Sequence, residues 1–102
     1  MHISPQYAPN LSDSHKSISI TGTASTLAQL GATFDRYSAK FTIQANGANV
    51  RYTVNGTAPT TTTGLLLVDG ASISMDVIEN RNAKFIAVSG SPKLEIASYK
   101  KI

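Results

Sequence analysis

Apolar and polar residues alternate in short runs along most of the chain, and this two-residue period is typical of β-strands with one buried face. Ile18 and Ile20 share a face of the first run, and Phe41 and Ile43 share a face of the next one. Five more runs follow, at residues 49–55, 64–70, 72–78, 83–90 and 93–99. Turn-forming Gly, Asn, Asp or Pro residues bound the runs. The pattern predicts about seven short strands.

Two local signals lie between these strands. Leu27 and Leu30 stand three residues apart with Gly31 after them, which predicts one helical turn that ends at the glycine. Asn46-Gly47 stands between two alternating runs and predicts a β-hairpin. No segment is suited to be the helical crossover of a parallel sheet. We therefore predict an all-β fold, a small antiparallel β-sandwich or barrel.

The inward faces of the strands supply the predicted core. The run Leu65-Leu66-Leu67-Val68 is the longest apolar run and predicts a short buried strand. Alternation in the other strands selects one face of each. The predicted core consists of Ile18, Ile20, Phe41, Ile43, Val50, Tyr52, Val54, Leu67, Ile73, Met75, Phe85, Leu94 and Ile96.

Residues 1–16 show no period and contain two prolines and several serines, so we predict an extended N-terminal arm there and a β-domain over residues 17–102. The arm carries Ile3, Tyr7 and Leu11, apolar side chains for which a solvated tail has little use. One interpretation is a frayed terminus. The other, which we adopt as a prediction, is that these three side chains contact a neighbouring protein.

Composition narrows the class of partner. The chain has 102 residues, a net charge of +3 and only 15% charged residues. The basic residues stand singly except for Lys100 and Lys101, whereas nucleic-acid binders cluster them, so we predict no nucleic-acid partner. The longest apolar run is far too short to cross a bilayer, which predicts no membrane partner. The first residues lack the apolar core of a signal peptide.

The titratable residues give no recognisable catalytic or metal site. The chain has no cysteine, and both of its histidines, His2 and His15, lie in the arm, away from any carboxylate cluster. Asp76 and Glu95 could be neighbours across strands, but a domain this small leaves little room for a cleft between two catalytic carboxylates. We predict no catalytic, cofactor-binding or metal site, and hence no enzyme.

The stretch VRYTVNGTAPTTTTG, residues 50–64, runs from an alternating strand into a loop of Thr, Ala and Pro. Gly56 is predicted to take a positive φ and Pro59 to stiffen the exit. Threonine has restricted χ1 freedom and an uncharged hydroxyl, so such a loop loses little entropy and little solvation when a partner covers it. We predict an exposed protein-contact loop formed by Thr57, Pro59, Thr60, Thr61, Thr62 and Thr63.

Two segments, GANVRYTVNGTAPTTTTGLLLVDGASISM and NAKFIAVSGSPKLEIASY, resemble the small β-domain virion proteins of tailed bacteriophages. The resemblance covers about three quarters of the chain, from Thr21 onward. Asn55 stands where the pattern more often has Asp. The matching residues are Val50, Arg51, Tyr52, Asn55, Gly56, Pro59, Thr60, Gly64, Leu67, Gly70, Phe85, Ile86 and Tyr99.

This resemblance implies a non-enzymatic structural protein of the virion, assembled in the host cytoplasm, that binds the capsid as a decoration or cement subunit. A homo-oligomer is expected because the edges of a seven-stranded sheet attract further strands. Two alternatives stay open. One is a head–tail or tail accessory protein of the virion. The other is a carbohydrate-binding or adhesion Ig-like module, a family whose likeness covers only residues 52–60.

Overall fold

The structure, a computed structural model, describes residues 14–34 and 38–100. These residues form two four-stranded antiparallel sheets, ordered β1-β8-β3-β6 and β2-β7-β4-β5, so the predicted all-β fold is confirmed. The elements are β1 (Ser14–Ser19), β2 (Ser25–Thr26), β3 (Ser38–Asn46), β4 (Val50–Thr53), β5 (Leu65–Leu67), β6 (Ser72–Asp76), α1 (Val77–Asn82), β7 (Lys84–Ala87) and β8 (Lys93–Lys100).

One hydrophobic core lies against both sheets. Every predicted core residue is either buried or packs half-buried against this core, as Ile18, Tyr52 and Ile73 do. Phe85 is stacked on Tyr52 with ring centroids 5.9 Å apart. Alternation did not identify the small residues that close the gaps between larger side chains, or a leucine of the turn after β2. These additional core residues are Leu27, Ala32, Ala45, Ala83 and Ala87.

The predicted hairpin at Asn46-Gly47 is wrong. β3 is hydrogen-bonded to β6 and β8 on its two edges, so β4 has no free edge to pair with and joins the other sheet. Gly47 has a φ of 104° and turns the chain from one sheet to the other. Its N–H donates to Asp69 Oδ1 at 2.8 Å, and the Asp69 N–H donates to Asn49 Oδ1 at 2.8 Å. Asp69 therefore stabilises the connection between the two sheets, which begins at Asn46-Gly47.

The strand predicted as buried at residues 64–70 is a three-residue edge strand, β5. Only Leu67 of this strand is buried, whereas Leu65 and Leu66 are 56% and 47% exposed. β5 pairs with β4 on one side only, so much of its surface faces solvent. An apolar run alone does not distinguish an interior strand from an edge strand.

A short helix that the apolar pattern did not predict connects β6 to β7. Asp76 is its N-cap: the Glu79 N–H donates to Asp76 Oδ1 at 2.8 Å, and the Asp76 N–H donates to Glu79 Oε1 at 3.2 Å. This reciprocal pairing is a capping box, and the Asp-x-x-Glu spacing is its sequence signal. Asp76 and Glu95 are not neighbours, because Asp76 aligns with Lys40 of β3 while Glu95 aligns with Gln44.

Candidate protein-contact site

The segment that joins β4 to β5, residues 54–64, is called the threonine loop here. Its second half is held by the backbone and side chain of Thr60. The Thr60 N–H donates to the Thr63 carbonyl at 2.9 Å. Thr60 Oγ1 accepts from the Thr63 N–H at 2.9 Å and from the Thr62 N–H at 3.3 Å. These bonds fix the run of four threonines as a turn.

Arg51 holds the same half of the loop from β4. Its Nε donates to the Thr61 carbonyl at 3.1 Å, and its Nη1 donates to the Gly64 carbonyl at 2.8 Å. The first half is held by Thr53, whose hydroxyl donates to the Thr57 carbonyl, and by Asn55 Oδ1, which accepts from the Thr57 N–H at 3.1 Å. The loop is therefore ordered both by hydrogen bonds within it and by hydrogen bonds from β4.

Alternation puts Arg51 on the face of β4 opposite Val50 and Tyr52, and it does not reveal the contacts of Arg51 with the loop. A signal was present, because Arg51 is the only charged residue between Lys40 and Asp69. The threonine loop carries many backbone carbonyls and no charged donor of its own. A single guanidinium, with five N–H groups in a rigid plane, is suited to bond several of those carbonyls at once.

The structure confirms most of the predicted geometry of the loop. Gly56 has a φ of 86°, as expected. The threonines predicted as contact residues, Thr57, Thr60, Thr61, Thr62 and Thr63, are exposed. Pro59 is buried, so the prediction that it lies at the surface is wrong. A Cβ on Gly64 would lie 3.1 Å from Pro59 Cβ, which shows that the proline ring lies against the end of the loop instead of pointing outward.

Apolar side chains continue the exposed surface of the loop along the edge of the sheet. Leu65 and Leu66 follow the loop directly and are exposed, and so is Val68. Leu65 is aligned with Tyr52 of β4, and the two residues line a shallow groove together with Val54. The outer edge of β5, on the side away from β4, has no partner strand among the described residues. Exposed apolar side chains on a free edge are typical of surfaces that bind another chain.

Several elements share the end of the domain where the threonine loop lies. Thr53, the last residue of β4, aligns with Lys84, the first residue of β7, and β7 follows α1 directly. Ile78 of α1 is 64% exposed at this end. Burial, and next the negative charge of Glu79 on α1, raise the pKa of the Tyr52 hydroxyl. The helix and the loop therefore flank the same end of the sheet.

The predicted arm lies mostly outside the described residues. Ile3, Tyr7 and Leu11 are among the residues that the structure does not describe, so their predicted contacts stay predictions. The last residues assigned to the arm, 14–16, belong to β1 and pair with β8. The β-structure therefore begins three residues before the predicted start of the domain.

One ionisable cluster lies on β1 and β8, away from the loop. His15 Nε2 lies 2.8 Å from Glu95 Oε1, and the Ser17 hydroxyl donates to Glu95 Oε2 at 2.7 Å. The hydrogen bond from Ser17, and then that from His15, lower the pKa of the Glu95 carboxyl. His15 therefore contacts a single carboxylate, which the sequence pattern did not reveal because the contact depends on β1 pairing with β8. Within residues 14–34 and 38–100, no group of three His, Cys, Asp or Glu side chains could hold a metal ion.

No protein-family model, curated protein or solved structure matches the chain. The one described helix is too short to cross a membrane. Function is therefore inferred from the threonine loop, the exposed leucines of β5 and the resemblance to virion proteins.

Proposed function

We propose that this chain is a non-enzymatic structural protein of a tailed-phage virion, which binds the capsid as a decoration or cement subunit. The observation that carries the proposal is that the threonine loop has an ordered backbone and exposed side chains. Arg51 and Thr60 hold its backbone, while the side chains of Thr61 and Thr63 remain exposed. A loop that is ordered before binding loses little conformational entropy when a partner covers it.

The surface beside the loop supports a protein partner. Leu65 and Leu66 supply apolar area next to the threonine hydroxyls. Hydroxyls donate and accept hydrogen bonds without the large desolvation cost of a charge. An apolar patch bordered by neutral polar groups fits the centre of a protein–protein interface, where charged residues are depleted. The free edge of β5 gives a further copy of the chain a strand to pair with, which supports the proposed homo-oligomer.

The proposal is tested by co-sedimentation with capsids of the phage whose genome encodes the chain, after removal of any bound copies. The test variant is Thr61→Ala with Thr63→Ala, which removes two exposed hydroxyls and leaves Thr60 intact. The matched control is Ser89→Ala with Ser91→Ala, two exposed hydroxyls beyond the end of β7, at the opposite end of that strand from the loop. We expect the control to bind as the parent does and the loop variant to bind at least several-fold more weakly.

Two outcomes would contradict the proposal. Equal binding of the parent, the control and the loop variant would show that the loop is not part of the contact surface. Absence of capsid binding, together with retention of the parent on a polysaccharide column, would favour the carbohydrate-binding alternative.

A further inference from the structure

The glycines that follow Asn or Asp differ in what their backbone N–H groups contact. The chain has three such pairs, Asn46-Gly47, Asn55-Gly56 and Asp69-Gly70. The Gly47 N–H donates to Asp69 Oδ1, and the Gly70 N–H donates to the Ala45 carbonyl, each at 2.8 Å. The Gly56 N–H donates to no residue that the structure describes. Of the three glycine nitrogens, that of Gly56 is therefore the one that no such hydrogen bond holds.

A glycine nitrogen that is not held in this way can attack the side chain of the residue before it. Once it has lost its proton to a base in the solvent, the nitrogen adds to Cγ of an asparagine, and the side-chain nitrogen leaves as ammonia. The product is a cyclic imide. Water then opens the imide at either carbonyl and gives Asp or isoAsp. Glycine favours this ring closure because it has no Cβ to crowd the nitrogen.

Asn55 is held in a geometry that favours this attack. Its Oδ1 accepts from the Thr57 N–H at 3.1 Å, which forms an Asx turn, so the side chain folds back over the backbone and Cγ approaches the Gly56 nitrogen. The attack places negative charge on Oδ1, and a donor already aimed at that atom stabilises the developing charge. Asn55 and Gly56 are both exposed, so base and water from the solvent reach them.

Asn46-Gly47 lacks this arrangement, although both of its residues are also exposed. Asn46 is the last residue of β3 and pairs with Lys93 of β8, so its backbone is held extended. Its side chain is hydrogen-bonded to the Glu95 carboxyl. The Asp69 carboxylate accepts the Gly47 N–H and disfavours the loss of that proton, because a negative charge nearby opposes a second one. Attack at Asn46 would therefore require the hydrogen bond to Asp69 to break.

We propose that Asn55 is a site of spontaneous deamidation and that the hydrogen bonds of the fold protect Asn46. The threonine loop has no charged residue of its own, so conversion of Asn55 to Asp gives the loop a negative charge. Conversion to isoAsp inserts a CH2 group into the backbone and removes the Asx turn with Thr57. Both products alter the proposed contact surface. Weaker capsid binding by aged protein would rest on the proposed function, whereas the deamidation itself does not.

The test incubates the full chain in mildly alkaline buffer and follows both Asn-Gly sites by peptide mapping with mass spectrometry. Replacement of NH2 by OH raises the mass of the modified peptide, and chromatography separates the Asp and isoAsp products. We expect Asn55 to deamidate at least about tenfold faster than Asn46 in the folded chain, because breaking a hydrogen bond to a charged group slows a step by roughly that factor or more. Equal rates, or faster reaction at Asn46, would overturn the proposal.

Two controls show whether the fold causes the difference. In concentrated urea the hydrogen bonds of the fold are absent, so the two sites should react at similar rates. A rate difference that persisted unchanged in urea would overturn the proposal and assign the difference to local sequence. In the folded chain, Asp69→Ala should speed deamidation of Asn46 several-fold and leave the rate at Asn55 unchanged. An unchanged rate at Asn46 would contradict the protective role of the Gly47 hydrogen bond. The experiment requires no capsids, so its failure is distinguishable from failure of the proposed function.

Discussion

The guanidinium of Arg51 donates to the carbonyl of Gly64 at 2.8 Å, and this bond joins β4, the strand that leads into the threonine loop, to the last residue of the loop. The same side chain donates to the Thr61 carbonyl from Nε, so two loop carbonyls depend on one residue of β4. A strand residue thereby helps to fix the conformation of the proposed contact surface.

Arg51→Lys should loosen the threonine loop, because a lysine ammonium is a point donor that does not reproduce a planar pair of N–H groups. We expect the free energy of unfolding to fall by up to about 1.5–3 kcal/mol, the range for hydrogen bonds to charged groups. Urea denaturation measures this loss, and amide hydrogen exchange at Thr62 and Thr63 measures the loosening. The control Arg81→Lys, at an exposed position of α1, should change stability by less than about 0.5 kcal/mol. Equal losses in both variants would contradict the role of Arg51.

Three glycine substitutions separate backbone strain from crowding. Gly22→Ala, at a position with no positive φ and no neighbour within 4 Å, should be nearly neutral. Gly56→Ala should cost about 1–2 kcal/mol, because Gly56 has a φ of 86° and its surroundings are open. Gly64→Ala should cost more, because its φ is 125° and its Cβ would lie 3.1 Å from the Tyr52 carbonyl oxygen. Thermal or chemical unfolding measures the loss of stability in each variant. If Gly64→Ala lost no more stability than Gly56→Ala, the backbone would be shown to move enough to relieve the contact with the Tyr52 carbonyl oxygen.

Asp76→Ala should remove the N-cap of α1 and lower the free energy of unfolding by about 1 kcal/mol. Asp76→Asn is the matched control, since asparagine retains the side-chain oxygen that accepts from the Glu79 N–H. It should retain most of the parent's stability. If both variants were equally destabilised, the charge of Asp76 rather than its capping geometry would be the cause.

The Glu95 cluster should make stability depend on pH in the acid range. The hydrogen bonds from Ser17 and His15 lower the pKa of the folded-state carboxyl, so the unfolded chain takes up the proton at a higher pH than the folded chain does. The stabilisation is therefore present above the unfolded-state pKa of about 4.3 and is lost as the pH falls below it. Glu95→Gln should lose less stability than the parent between pH 6 and pH 3 in urea titrations. Parallel profiles would show that the cluster contributes nothing.

Phe85→Ala should cost about 3–5 kcal/mol, because Phe85 is completely buried and its removal leaves a cavity beside Tyr52. Leu66→Ala removes a similar kind of side chain from an exposed position of β5 and should cost less than about 0.5 kcal/mol. Similar losses in the two variants would mean that the exposed leucine is covered, for example by another copy of the chain. Measurement at several protein concentrations would then detect the association.

Local periodicity predicted the strand faces well, because alternation reports directly which side chains point inward. Ile43 and Ile96, for example, are both completely buried as predicted. Pairing between distant strands is not encoded locally, so the hairpin at Asn46-Gly47 was predicted where the chain changes sheets. For the same reason, the sequence did not reveal the contact between His15 and Glu95, because that contact depends on β1 lying beside β8. The loop was predicted from composition, but the burial of Pro59 and the bonds of Arg51 depend on three-dimensional packing.

The position of β8 has a consequence for how the domain folds. β8 follows all the other described strands along the chain, yet it lies between β1 and β3 and pairs with both. Contacts between residues as far apart in sequence as Ser14 and Ser98 raise the contact order, which slows folding. Until the ribosome has released β8, β1 has no strand to pair with and one edge of β3 stays open. We expect nascent chains that stop before β8 to need protection from aggregation, which the complete domain does not.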